Sequence, residues 1–302
     1  KIGVIGLGYV GLPLAICLSK KFKVKGFDIN KKRIDNLCNG YDQTLEFTRK
    51  EIAKIKNISF TNNIKLLDDC NFFIIAVPTP IHKNKNPDLR NLKYATQSVG
   101  KILKPDSIVV FESTVYPGVT ENICVPILEK FSNLKYKKDF HCGYSPERIN
   151  PGDKKIKIQN IIKVVSGSSP NILKTINHVY KKTIKAGTFV ASSIKVAEAA
   201  KVIENSQRDI NIAFINELSK IFDKLEINTY DVLKAANTKW NFLDFKPGLV
   251  GGHCIGVDPY YLTSKAKKLG VYPDLIYEAR KINESIPTYI VDKTVEFIIN
   301  SN

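Results

Sequence analysis

The chain has 302 residues, 43% hydrophobic content and a formal net charge of +17 at pH 7, a size and apolar fraction that exclude a disordered polypeptide and predict two domains. The longest purely apolar run, Phe72 to Val77, falls far short of the roughly 20 residues of a membrane helix, and no signal-peptide pattern opens the sequence, so a cytoplasmic protein without membrane association is expected. The lysines are scattered along helical stretches without an aromatic-basic recognition motif, which argues against a nucleic-acid partner and favours an anionic small substrate.

Residues 2–6 form an apolar run that leads straight into Gly6-Leu-Gly8-Tyr9-Val10-Gly11 and then into the apolar helical stretch Leu12 to Leu18. Strand, glycine turn and helix in that order suit a dinucleotide. The glycines permit a tight turn and close backbone approach to a pyrophosphate, which the positive end of the helix then faces. A second run, 23–28, ends in Asp28, about 20 residues beyond Gly6, where a carboxylate hydrogen-bonds the adenosine ribose and repels a 2′-phosphate. NAD is therefore the expected cofactor. Arg33, a little further on, is placed either to contact the adenosine half or to remain solvated on its helix.

Further apolar runs at 72–77, 107–111 and 161–165, separated by helix-compatible stretches, predict a parallel, doubly wound sheet of Rossmann type. Two loops follow strand ends, Val77-Pro-Thr79-Pro80 and Glu112-Ser-Thr114-Val-Tyr-Pro-Gly118. Ligands of open α/β sheets bind along that edge, which makes Thr79 and Thr114 candidate contacts, although turn chemistry explains the prolines and glycine equally well. After Ser192-Ser193, plausible N-cap residues, a stretch without Gly or Pro runs to about Leu225 and predicts a long spine helix. Val196, Ala200, Ile203, Ile210, Phe214, Leu218, Ile221 and Leu225 recur along it at helical spacing and predict one buried stripe. Lys201, Asn205 and Arg208 share a different face. The expected organisation is an NAD-binding domain over 1–188 and an all-helical central domain over 189–302, dimerising through the long helix.

The six cysteines include no Cys-x-x-Cys pair and the four histidines lack ligand spacing, so neither a metal site nor a disulfide framework is expected. Cys17, Cys70 and Cys142 lie in or beside apolar segments and read as small hydrophobes. Cys254 differs, because it sits in Phe245-Lys-Pro-Gly-Leu-Val-Gly251-Gly-His-Cys254-Ile-Gly-Val-Asp258, crowded with glycines and closed by a carboxylate. A thiol there is a candidate nucleophile. If the face carrying Lys201 and Asn205 meets it, the group suits aldehyde oxidation. A primary alcohol gives up its proton to a base and a hydride to NAD; the Cys254 thiolate adds to the aldehyde; a second hydride transfer yields a thioester, and hydrolysis releases a carboxylate. Lys201 and Asn205 are the candidate donors to the tetrahedral oxyanions, and a cation beside the thiol lowers its pKa.

Six motifs, taken in order, resemble the UDP-glucose/GDP-mannose dehydrogenase family: Gly6-x-Gly8-x-x-Gly11, Val77-Pro-Thr79-Pro80, Ser113-Thr114, Ser145-Pro-Glu147, Lys201-x-x-x-Asn205 and Gly251-Gly-x-Cys254-x-x-x-Asp258. The resemblance covers the whole chain. It implies oxidation of C6 of a nucleotide sugar twice, with two NAD and without release of the aldehyde. It also implies Cys254 as nucleophile, Lys201 as general acid/base and oxyanion stabiliser, Asn205 as its partner, and Asp258 and Thr114 as residues that position water or base. Glu147 corresponds to a carboxylate of thioester hydrolysis or proton transfer. Tyr9, Val10, Asp28, Arg33, Thr79 and Thr114 fall at NAD contacts, and Glu147, Arg148, Ile149, Lys201, Asn205, Arg208 and Gly251 at substrate contacts.

The loop Ser145-Pro-Glu147-Arg148-Ile149-Asn-Pro151-Gly152 is similar to the N-acetylhexosamine branch, because the UDP-glucose branch carries a second glutamate where this chain has Pro151. Lys239-Trp-Asn-Phe242 and Pro247 to Tyr261 are similar to the Vi-antigen type of UDP-N-acetylglucosamine or UDP-N-acetylgalactosamine 6-dehydrogenases. A UDP-N-acetylhexosamine substrate and a role in cell-surface or capsular polysaccharide synthesis follow as expectations. The family continues past the position of Asn302 into a third, UDP-binding domain, and methionine is absent even at position 1, so the expectation is an incomplete reading frame lacking that domain. The competing readings are a UDP-glucose 6-dehydrogenase, a β-hydroxyacid dehydrogenase, which shares the Lys/Asn spacing and needs no cysteine, and a catalytically silent NAD-binding fragment.

Overall fold

The computed structural model describes residues 1–149, 158–252 and 255–301. Eight short strands form one sheet: β1 (Ile2–Ile5), β2 (Val24–Phe27), β3 (Ile58–Thr61), β4 (Phe72–Ile75), β5 (Ser107–Phe111), β6 (Phe140–Tyr144), β7 (Lys163–Gly167) and β8 (Thr188–Val190). Their spatial order is β3-β2-β1-β4-β5-β6-β7-β8. From β1 the chain winds one way to β3 and then crosses back to β4, so the order reverses between β1 and β4. A crevice outside the carboxyl ends of the strands opens at such a reversal. The residues of β1, β4 and β5 are buried on both faces, as a parallel sheet covered on both sides requires.

The helices are α1 (Gly11–Ser19), α2 (Lys31–Cys38), α3 (Arg49–Ala53), α4 (Arg90–Gly100), α5 (Val125–Ser132), α6 (Pro170–Lys181), α7 (Ile194–Lys224), α8 (Thr229–Ala236), α9 (Asp258–Lys268) and α10 (Asp274–Asn300). A Rossmann-type sheet followed by a helical region is the expected fold class. One expectation needs correction: the sheet is not wholly parallel, because β7 runs antiparallel to β6, pairing Gly143 with Gly167 and Tyr144 with Ser166. The run 161–165 has the composition of a buried strand, and composition is indifferent to direction. Strands β3, β6 and β8 give no comparable apolar run, since each mixes polar residues into a segment of five residues or fewer.

The chain forms two compact units, 1–80 with 88–201, and 81–87 with 202–302. Helix α7 spans 31 residues and starts where Ser193 caps it, the hydroxyl accepting the Val196 amide at 3.2 Å. Its first two turns belong to the first unit, where the Glu198 carboxylate accepts the amides of Gly118 and Thr120.

The stripe expected to be buried on α7 is not the buried face. Val196, Ile203, Phe214, Ile221 and Leu225 are each roughly half exposed, whereas Ala197, Glu198, Lys201, Val202, Ser206, Asp209, Ala213 and Asn216 are buried. Specific partners select that face. In the second unit Asp209 accepts Arg280 Nη1 from α10 at 2.7 Å, and Asn283 of α10 donates to both the carbonyl and the carboxylate of Asp209. Buried polar groups without partners are costly, so a helix whose polar residues find partners turns them inward together.

Candidate active site

The loop between β1 and α1 is built around its glycines. Gly6 has φ +92°, and a Cβ there would meet the Ala76 carbonyl oxygen at 2.8 Å; at Gly11 a Cβ would lie 1.8 Å from the Gly6 oxygen. Those two glycines are demanded by the fold itself. Gly8 is not, for a Cβ at that position meets nothing within 4 Å. Its openness leaves room beside the backbone. The N-cap of α1, Val10, makes no side-chain hydrogen bond, so the first amides of the helix lack a side-chain cap.

Asp28 accepts the Leu7 amide at 2.9 Å through one oxygen and the Asn30 amide at 2.9 Å through the other. Arg33 is buried rather than solvated. Its Nε donates to the Leu7 carbonyl at 2.9 Å and Nη1 lies 2.6 Å from Asp42 Oδ1, while Nη2 is buried with no hydrogen-bond partner among the described residues. Burial alone would raise the Asp42 carboxyl, but hydrogen bonds from Thr44 and Arg33 outweigh it and hold it below the usual range. An uncapped helix start, open space at Gly8 and an orphaned guanidinium nitrogen beside the same loop fit a dinucleotide diphosphate. Tyr9 is exposed and Val10 half-buried on this rim.

Beyond β4 and β5, the Thr79 hydroxyl donates to the Thr114 carbonyl at 2.7 Å, and the Ser113 hydroxyl donates to the Val77 carbonyl at 2.6 Å. Tyr144 of β6 reaches the Ser113 carbonyl with its hydroxyl at 3.2 Å. These bonds stitch neighbouring loops into one rim along the carboxyl edge. The two candidate threonines are thus brought together.

Glu147 sits in a buried charged set that sequence reasoning missed. Its Oε1 accepts the amides of Arg148 and Ile149 at 2.6 and 2.9 Å, and its Oε2 lies 2.9 Å from Lys163 Nζ. Lys163 also donates to Glu112 Oε2 at 2.6 Å, and the Tyr180 hydroxyl donates to the other Glu112 oxygen. Burial pushes the Glu112 carboxyl up to about 7, against the pull of Lys163. Burial alone would lower Lys163, but the two carboxylates hold it above its ordinary value. A lysine inside the apolar run Ile161-Ile-Lys163-Val-Val was the one signal available in the sequence. The Arg148 side chain donates to the Ile162 carbonyl at 3.0 Å.

On α7, Lys201 is buried, Asn205 half-buried and Arg208 exposed. Asn205 Nδ2 donates to Asp258 Oδ2 at 2.5 Å, which ties α7 to the first residue of α9. Asn216, two turns or more further along, clamps the loop that approaches this region: its Oδ1 accepts the Gly248 amide at 2.8 Å and its Nδ2 donates to the Gly248 carbonyl at 3.0 Å. Asn283 Oδ1 accepts from the same Asn216 amide at 2.8 Å. Gly251 is exposed. Cys254 lies outside the described residues. The free cysteines 17, 70, 124 and 142 are buried, and Cys38 is exposed. Among the described residues no group of His, Cys, Asp and Glu is arranged to hold a metal, and no helix is long and apolar enough to cross a membrane.

The chain matches the NAD binding domain of the UDP-glucose/GDP-mannose dehydrogenase family over residues 1–184 and that family's central domain over residues 195–285. It is 56% identical to the UDP-N-acetyl-D-glucosamine 6-dehydrogenase of Pseudomonas aeruginosa over 299 residues, 99% of this chain and 71% of that protein. It is 57% identical to Protein CapL of Staphylococcus aureus over 298 residues, 99% of this chain and 70% of that one. The solved structure of the UDP-D-ManNAc dehydrogenase from Pyrococcus horikoshii superimposes with a TM-score of 0.91 at 32% identity, covering all of this chain and 72% of the other. With a dinucleotide loop on its first unit and the Asn205–Asp258 pair on its second, the chain belongs to the UDP-glucose/GDP-mannose dehydrogenase family of NAD-dependent nucleotide-sugar dehydrogenases.

Proposed function

We propose that the protein oxidises C6 of a UDP-N-acetylhexosamine to the uronic acid in two NAD-dependent steps, holding the intermediate on Cys254. The observation that carries this reading is the hydrogen bond from Asn205 to Asp258, 2.5 Å, between the helix that bears Lys201 and the segment that immediately follows Cys254. The similarity to proteins named as UDP-N-acetyl-D-glucosamine 6-dehydrogenases, at 55% and 56% identity, favours the 2-acetamido sugar over UDP-glucose.

NAD, when bound, takes up the hydride at each oxidation. The chain's own residues do the rest. The Cys254 thiolate adds to the C6 aldehyde to give a thiohemiacetal, which on oxidation becomes a thioester. Lys201 and Asn205, one helical turn apart, donate to the oxyanion, each such donor contributing typically about 3 kcal/mol. Asp258, fixed by Asn205, Thr114 and Glu147 serve the proton transfers and the water that releases the carboxylate. Gly6, Gly8, Tyr9, Val10, Gly11, Asp28, Arg33, Thr79 and Thr114 hold the cofactor, and Arg148, Ile149, Arg208 and Gly251 contact the sugar nucleotide.

The family matches over 1–184 and 195–285 support functional domains of 1–188 for NAD and 189–302 for catalysis and dimerisation, with the start of α7 packed into the first compact unit. The half-exposed apolar residues of α7 support a second copy docking along that helix. A cytoplasmic location and a supply role for cell-surface polysaccharide complete the reading. Its test is NADH formed per sugar nucleotide consumed, with UDP-N-acetylglucosamine, UDP-N-acetylgalactosamine and UDP-glucose compared. A ratio of two is expected and a ratio of one overturns it. Cys254→Ala must abolish turnover, and unchanged turnover refutes covalent catalysis.

A further inference from the structure

The buried set around Glu147 has more charge than a structural staple needs. Three ionisable side chains from three separate strand ends converge there: Glu112 after β5, Glu147 after β6 and Lys163 at the start of β7, with relative exposures of 2%, 6% and 2%. Among the described residues Lys163 is the one ammonium between the two carboxylates, at 2.6 Å from one and 2.9 Å from the other. Counted over the described residues, the set has one positive charge for two acidic groups, out of water, where an uncompensated charge is costly.

We propose that Glu112 and Lys163 are positioning residues for Glu147, and that the three titrate as one unit in which a single proton is shared across Lys163. This rests on the proton-transfer role of Glu147 in the proposed function. The geometry supports a shared proton in three ways. Both carboxylates bond the same nitrogen, so protonating either one releases Lys163 fully to the other. Glu112 has its second oxygen on the Tyr180 hydroxyl, a donor that keeps the carboxyl in place whichever form it takes. Glu147 has its second oxygen on two backbone amides, so its orientation is set by the chain and not by solvent.

Among the described residues, the other titratable groups facing the set are Tyr180 of α6, whose ring also lies 5.8 Å from Lys163 Nζ, and Cys17 of α1, whose thiol donates to the Thr183 carbonyl. Burial raises both above their ordinary values, so neither supplies the proton near neutral pH. The high proton affinity of Glu112, around neutrality, is consistent with its being the resting place of the shared proton. Transfer balances without any other reactant whenever Glu112 is a carboxylate: a proton gained by Glu147 passes to the Lys163 nitrogen as that nitrogen releases one to Glu112, which then holds the shared proton. Glu147 returns to its carboxylate form.

The test uses the complete NAD-loaded protein and the variants Glu112→Gln, Lys163→Arg and Glu147→Gln, each checked for folding by circular dichroism. Glu112→Gln keeps shape and hydrogen bonds but removes one negative charge, so the acid-side midpoint of the kcat profile should fall by about one pH unit. Lys163→Arg, which keeps the positive charge, should retain most of kcat. Infrared spectroscopy reads the same coupling without catalysis: a buried carboxylic-acid C=O band should titrate near neutral pH in the parent protein and move its midpoint in both glutamine variants. Superimposable kcat profiles and an unmoved infrared midpoint in Glu112→Gln would overturn the proposal. If Glu147→Gln turns over normally while the infrared midpoints still shift, the shared proton stands and the catalytic role of Glu147 is what fails.

Discussion

The glycine loop after β1 and the inner face of α7 are built in opposite ways. The loop is a short-range construction: two glycines 5 residues apart in sequence touch one another's backbone, with a Cβ at Gly11 reaching 1.8 Å from the Gly6 oxygen. The helix face is a long-range one, in which Asp209 and Asn216 meet partners 32 to 74 residues away. A site made by backbone sterics is written in local residue types. A site made by side-chain partners depends on what the rest of the fold brings to it.

This contrast breaks most sharply at the glycines. Gly11→Ala should cost about 3 kcal/mol or more and take NAD binding with it, because the clash is with backbone that cannot yield. Gly8→Ala should leave the melting temperature unchanged and weaken NAD by roughly tenfold, since its Cβ enters space open to a ligand. Thermal melts paired with NAD fluorescence titration separate the two, and equal losses of stability would erase the distinction between a fold-required and a ligand-required glycine.

Asn216→Ala tests the long-range side. Removing both bonds to Gly248 and leaving Asn283 short of a partner should cost about 1–3 kcal/mol. Turnover should fall while NAD affinity holds, because the loosened loop precedes Cys254 and not the dinucleotide site. A parallel loss of NAD affinity would mean that the two regions are not built independently.

The pH dependence of stability carries a further test. Glu112 is raised from 4.5 to about 7 in the folded protein, so its contribution is fully present below pH 4.5 and is lost as pH rises through about 7. Glu112→Gln, neutral throughout, should flatten that part of the curve by at most about 1.4 kcal/mol per pH unit. Asp42 has the opposite sign, contributing stability that is lost on acidification. Denaturation midpoints between pH 4 and 8 check Glu112, and midpoints below pH 4 check Asp42.

The smallest expected effect sharpens the reading of α7. Phe214→Lys should change subunit stability by no more than about 0.5 kcal/mol, as for an exposed site, and yet shift sedimentation toward monomer. A large destabilisation would restore the buried stripe that the periodicity suggests.

Much of the fold was legible because local pattern suffices for it. The runs at 2–6, 23–28, 72–77 and 107–111 became β1, β2, β4 and β5, and Asp28 follows the end of β2 with its carboxylate on the Leu7 amide of the glycine loop. The long helix was also legible from its cap at Ser193 and its freedom from glycine and proline. What failed was the choice of its inner face. Hydrophobic periodicity assumes that apolar residues turn inward, and in α7 Asp209, Asn216 and Glu198 find enough partners to turn the polar face inward instead. The antiparallel β7 and the Glu112–Lys163–Glu147 set were illegible for a related reason. Each depends on strand ends brought together from far apart in the chain.

By itself the sequence determined the dinucleotide loop, the strand and helix inventory and the family motifs, because glycine sterics, caps and apolar runs act within a few residues. Only the tertiary structure decided which side of α7 is buried, that Arg33 braces the loop through Leu7 and Asp42, that Asn205 holds Asp258, and that Glu147 shares its lysine with Glu112. Ion pairs and hydrogen bonds between distant residues have no period and no spacing, so they come into being only when the chain has folded.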